Sequence, residues 1–153
     1  MKATELLRQD HAAIAQLLDA AIEASDTVSR RRLLRTLAIR LEIHGEIEEE
    51  LFYPPLAGLS GVIPEARREH AQIGARLGDI NQHEPGSPDV MLELGQLRDA
   101  VRRHVAEAEG TIFAAAERLG ADELVRLGER LRQRHGALMS AAGLPELPAP
   151  NAA

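Results

Sequence analysis

Apolar residues recur along the chain at intervals of three and four, the period of helices with one buried face. After Thr4, a candidate N-cap, Leu7, Ile14, Leu18, Ala21 and Ile22 predict a first helix from about residue 4 to 24. Ser25-Asp26-Thr27 supplies a break with capping residues. The second helix runs from about residue 28 to Pro54-Pro55, which must disturb or end it. Gly58, Ser60 and Gly61 make a loop, and Pro64 suits the first turn of a third helix reaching about Gln82. The segment His83 to Asp89 is a turn-rich linker. A fourth helix extends from about Asp89 to Leu119 and stops at Gly120, and a fifth runs from Asp122 to near Gly143. Short connections pack neighbouring helices mostly antiparallel. The expected fold is therefore all-α: an up-down four-helix bundle with an additional C-terminal helix. It forms one domain over 1–143, with a Pro/Ala-rich tail at 144–153 that frays.

Composition narrows this picture. With 44% hydrophobic and 27% charged residues in 153, the chain is globular and long enough to bury its own core. Its only aromatics are Phe52, Phe113 and Tyr53, so aliphatic side chains must build that core. The net charge of −6 argues against a nucleic-acid partner, and Arg30-Arg31-Arg32 suits a solvated helix start. Absence of cysteine excludes disulfides, iron–sulfur clusters, thiolate zinc sites and a thiol nucleophile. No stretch has the length or apolarity of a membrane span or secretion signal, and the cytoplasm is the expected location. No phosphate-binding glycine loop and no Ser-His-Asp set stand out, so no catalytic residue is assigned.

Chemistry enters where polar residues occupy core positions. On the second helix Leu34, Leu37, Leu41, His44, Glu48 and Leu51 form one stripe, with Glu48 about 40° around from His44. A buried carboxylate needs a hydrogen-bonding partner or a cation, and a simple His–Glu pair in the core satisfies that as well as a metal does. His11 sits with Leu7, Ile14 and Leu18, and His70 sits with Ala66, Ile73 and Leu77. On the fourth helix His104 and Glu109 flank the apolar face on opposite sides, about 60° and 80° from its centre, while Glu107 turns outward. Each histidine alone suits a satisfied core residue. Four helices each sending one inward, two of them adding a glutamate, point jointly to a metal site in the bundle core. Imidazole and carboxylate without sulfur suit iron, manganese or zinc, and six ligands suit two ions better than one tetrahedral zinc. His83 in the linker is expected to be exposed, His135 to be packed structurally, and Glu46, Glu49 and Glu50 to form a solvated acidic face.

The segments RQDHAAIAQLL around His11, HGEIEEELFYP from His44, REHAQIGARL around His70 and HVAEAEGTIF from His104, in this order, resemble the hemerythrin-like, HHE cation-binding family over roughly residues 4 to 140. The resemblance implies a bundle of hemerythrin type. It also implies two non-haem iron ions, oxo- or hydroxo-bridged, with manganese or zinc ranking behind iron. Its ligand set would be His11, His44, Glu48, His70, His104 and Glu109, the carboxylates bridging. Two positions depart from the family pattern. Ala108 stands where many bacterial members have a glutamate, and Gly74 stands where oxygen carriers have a further histidine. Water, a carboxylate or Tyr53 could fill the latter gap, although on an ideal helix Tyr53 points away from the site.

The expected function is binding or consumption of O₂, peroxide or nitric oxide in defence against oxidative or nitrosative stress. A bundle core admits such molecules but few organic substrates. A non-enzymatic iron-binding or sensing module is the alternative, and spacing does not separate turnover from binding or fix the oligomeric state.

Overall fold

The computed structural model describes residues 1–146, and among these every regular element is helical. Helix α1 spans Ala3–Glu23, α2 Thr27–Ile47, α3 Ile63–Ile80, α4 Pro88–Glu107, α5 Phe113–Glu117 and α6 Ala121–Ala141. The starts obey local chemistry. Asp26 accepts the Ser29 amide at 2.7 Å, and Ser87 accepts that of Val90 at 3.3 Å, each satisfying an orphan donor of the first turn. Pro64 and Pro88 stand in first turns, where no amide hydrogen is needed. Gly120, at φ 89°, makes the left-handed bend before α6. Of the predicted tail, Leu144 to Glu146 carry no regular structure, and the rest lies outside the described residues.

Helix α1 packs on α2, α4 and α6, and α3 packs between α2 and α4. The additional C-terminal helix therefore belongs to the bundle wall. Its seat is close: a Cβ on Gly128 would lie 2.2 Å from the Met1 carbonyl oxygen, so only glycine lets the N-terminal backbone approach there.

Two rods depart from ideal helix. After Ile47 the chain makes a π turn, Glu48–Phe52, closed by the Tyr53 amide on the Glu48 carbonyl at 2.8 Å. Pro54 and Pro55 have no amide to continue the ladder, and a 3₁₀ turn, Pro54–Leu56, ends the rod. The predicted fourth helix is likewise α4, a second π turn at Ala108–Ile112, and α5. Each π turn begins four residues after a histidine, His44 in one rod and His104 in the other.

The apolar core falls into two clusters. One contains Leu7, Ile47, Phe52, Ala66 and Ala108; the other contains Ile14, Leu37, Ile73 and Val101. His11, His44, His70 and His104 occupy the seam between them.

Candidate metal centre

Side-chain donors of His44, Glu48, His70 and His104 converge so that one ligand atom from each lies within 4.8 Å of the others. Glu48, 1% exposed, is the hub. Its Oε2 lies 3.1 Å from His70 Nε2 and 3.5 Å from His44 Nε2, and it accepts the Tyr53 hydroxyl at 2.7 Å. The His11 ring stands beside that of His44, with centroids 4.8 Å apart, and the His70 ring beside that of His104 at 4.4 Å.

The outward edges of three imidazoles are tied to carboxylates. His44 Nδ1 donates to Asp10 Oδ2 at 2.9 Å, His104 Nδ1 to Glu69 Oε2 at 2.7 Å, and His11 Nδ1 to Glu109 Oε1 at 2.9 Å. An ionised carboxylate only accepts, so Nδ1 carries the hydrogen and Nε2 presents its lone pair inward. Those Nε2 atoms of His11, His44 and His104, both ring nitrogens of His70, and Glu48 Oε1 are buried without a hydrogen-bonding partner. Orphaned buried acceptors are costly, and a cation among them would satisfy several at once. The donor set fits a metal of the imidazole–carboxylate type.

Burial disfavours charge on Glu48, yet neighbouring His44 and His70 hold it well below the usual carboxylate range. Burial likewise opposes charge on His44, but the Glu48 and Asp10 carboxylates outweigh it and raise it to about 9. Without a cation the nearby carboxylates hold a second proton on His44, so its Nε2 lone pair becomes available only when a metal displaces that proton. His11 is pushed down to about 4 by burial and the neighbouring His44 charge. His104 is lowered by burial and by His70. Burial, then Glu48, drive the Tyr53 phenol far above its usual range, so it remains a donor.

Five predicted site residues thus meet: His44, Glu48, His70 and His104 in one group, with His11 alongside. Glu109 does not join them. It is about one-third exposed, and its carboxylate engages His11 from outside. Tyr53, which an ideal helix turns away, is brought onto Glu48 by the extra residue of the π turn. Glu107 is exposed, as is His83, while His135 is buried. Glu46, Glu49 and Glu50 are more than a solvated face: Arg134 pairs with Glu46 and Glu50 at 2.7 and 2.9 Å, and Arg67 pairs with Glu49 at 2.7 Å. These pairs fasten the end of α2 and the first π turn to α6 and α3.

Sequence reasoning missed Asp10 and Glu69. Both immediately precede a site histidine, and each orients the histidine of a neighbouring helix. The repeated acid–His dipeptide was the available signal.

A helical bundle with inward imidazoles and a central carboxylate defines the class of bundle-core cation-binding proteins. The Hemerythrin HHE cation binding domain matches residues 2–116, and the chain belongs to that family. A crystal structure of a Hemerythrin HHE cation binding domain-containing protein, the Rv2633c homolog from Mycobacterium kansasii, superposes with a TM-score of 0.84 and 28% identity, covering 93% of this chain and 90% of that one. The uncharacterized protein Rv2633c of Mycobacterium tuberculosis is 26% identical over 88% of this chain and 85% of its own length. A DNA nickase of Nostoc sp. is 25% identical over 94% of this chain but only 44% of its own, so the chain spans less than half of that relative. No described helix is long and apolar enough to cross a membrane.

Proposed function

We propose that this protein holds a non-haem iron pair at His11, His44, Glu48, His70 and His104, and there binds or consumes a small oxidant: O₂, peroxide or nitric oxide. The observation that carries the reading is the set of buried, unpartnered imidazole nitrogens around Glu48, three of them on rings fixed from behind by carboxylates. Iron bound there would supply redox change and exchangeable coordination positions. The chain's own residues divide the remaining work. Asp10, Glu69 and Glu109 keep the imidazoles in the metal-binding tautomer and raise their basicity. Glu48 lies between the His44 and His70 nitrogens, where its carboxylate would hold the metal together with both rings. Tyr53 Oη donates its hydrogen to that carboxylate and fixes its orientation.

Metal analysis of protein purified without chelators tests this, combined with spectroscopy during addition of peroxide or nitric oxide. The expectation is about two iron atoms per chain, with consumption of at least one oxidant. Protein that binds no metal would overturn it.

One observation favours a second reading, an iron-binding or sensing module without turnover. Glu109 is committed to His11, and the remaining four-residue group has the compass of a single-cation site. About one iron per chain, loaded reversibly and inert to oxidants, would select this alternative.

A further inference from the structure

The seam of histidines is not sealed. A half-open cleft of about 510 Å³ lies between α2 and α3, with His11, His44, His70 and His104 in its wall. Ile14, Leu41, Ile73, Leu77, Val101 and Val105 provide its apolar surfaces. Its mouth on α3 is open because Gly74 and Gly78, one turn apart, carry no side chains. A Cβ at either position would meet nothing within 4 Å. One water takes about 30 Å³ of liquid, so the space far exceeds what a diatomic or peroxide requires. It lies within the size range of small-molecule sites, which are mostly apolar with a few convergent polar groups.

The rim sets the sign of the ligand. Arg67 is neutralised by Glu49 and Glu46 by Arg134, each at 2.7 Å, whereas Glu42 has no ionic partner among the described residues. One carboxylate is left unbalanced at the mouth of an acidic protein. An anionic head there would meet repulsion, and a neutral or cationic one would not.

We propose that this cleft binds a small organic molecule with an apolar body and a neutral or cationic polar end, and holds it against the histidine cluster. Its role as a substrate or effector of a metal centre rests on the function proposed above; its binding rests on the cleft alone. The expectation that the core admits few organic substrates does not suit a cavity of this size.

The probes are 1-octanol, octylammonium and octanoate, titrated by calorimetry and by NMR shift changes into metal-free and iron-loaded protein. Saturable one-to-one binding of octanol or octylammonium is expected, with octanoate weaker by about tenfold or more in the metal-free protein, where no cation can ligate its carboxylate. Gly74→Leu and Gly78→Leu, which fill open space on a helix, should weaken binding by about tenfold or more, the equivalent of two lost methylene contacts. Iron content and melting temperature should not fall. No saturable binding by octanol or octylammonium, binding indifferent to both leucines, or octanoate bound equally well would overturn the proposal. Probe binding in a protein that cannot be loaded with iron would sink the iron reading and leave the cleft standing. Oxidant consumption by an iron-loaded protein that binds no probe would do the reverse.

Discussion

Asp10 Oδ2 accepts the Nδ1 hydrogen of His44 at 2.9 Å, from a carboxylate with no exposed surface. Its other oxygen lies 3.4 Å from His135 Nε2 on α6 and 3.6 Å from Arg40 Nη1 on α2. One buried charge therefore joins three helices and orients a candidate ligand, and the C-terminal helix reaches the site through it. Burial works against that charge, but His135 and His44 beside it hold Asp10 well below the usual carboxylate range. Replacing Asp10 by Asn keeps the shape and removes the charge that fixes the His44 tautomer. Iron affinity should fall by about 10- to 100-fold, as for other lost partners of ligating histidines. His135→Gln should produce a smaller drop in the same competition titration. Unchanged affinity in Asp10→Asn would show that His44 is not held this way.

Three glutamates should separate by position. Glu48→Gln should remove most bound iron, because among the described residues Glu48 is the only carboxylate in the converging group. Glu109→Gln should lower affinity modestly, since it would alter only the support of His11. Glu107→Gln, at an exposed position, should change nothing. Iron content of the three variants checks the order, and equal losses from Glu48 and Glu109 would restore Glu109 as a direct ligand.

The helical period was legible along nearly the whole chain because each helix buries one uninterrupted stripe, and the four histidines stood out as polar residues on those stripes. The π turns were not legible. A helical wheel carries its phase forward unchanged, so beyond Ile47 it turned Tyr53 away from Glu48. The two segments that span these interruptions, HGEIEEELFYP and HVAEAEGTIFAA, weakly echo each other: each has a His, then a Glu followed by Phe four residues on. In structural register, however, Glu48 corresponds to Ala108 and Tyr53 to Phe113, which stacks on His11 with ring centroids 5.9 Å apart. The second rod thus offers no carboxylate at the place where the first supplies Glu48. Asp10 and Glu69 escaped notice because their partners lie on other helices, a relationship that wheel positions do not contain.

Stability of the chelator-treated protein should pass through a maximum near pH 6.5. His11 sits at about 4 in the fold against an ordinary 6.5. The unfolded chain thus binds more protons between those values, and stability falls on acidification. Asp10 and Glu48, both depressed, withdraw their contributions further down, below the ordinary carboxylate range. His44 acts oppositely. Raised to about 9, it contributes fully below 6.5 and loses that contribution as pH rises through 9. Melting temperatures from pH 4 to 10 check the shape, and a steady rise up to pH 9 would contradict the charged His44.

Gly74 should govern how the centre treats oxygen. It lies one turn beyond His70 on α3 and lines the same cleft, with open space where its side chain would stand. Reversible carriage needs a fixed ligand set, a single exchangeable position and a dry pocket. Here the His70 side lacks a second imidazole, and the cleft admits water or a further exogenous ligand. Glu48 itself, with Asp10, Glu69 and Glu109 behind the imidazoles, would favour the more highly charged, ferric state. The expected behaviour is a ferric resting protein that reacts with peroxide or nitric oxide faster than it cycles O₂. Stopped-flow spectroscopy of the reduced protein decides: a long-lived oxygen adduct that releases O₂ under vacuum would refute it. Gly74→His supplies the missing ring at a helical position with room for it. The variant should hold iron at least as tightly, lengthen the life of any oxygen adduct and slow peroxide or nitric oxide consumption. If it binds iron unchanged and alters none of these rates, the space at Gly74 has no part in the reactivity, and the difference from oxygen carriers must lie elsewhere, with Ala108 the next position to test.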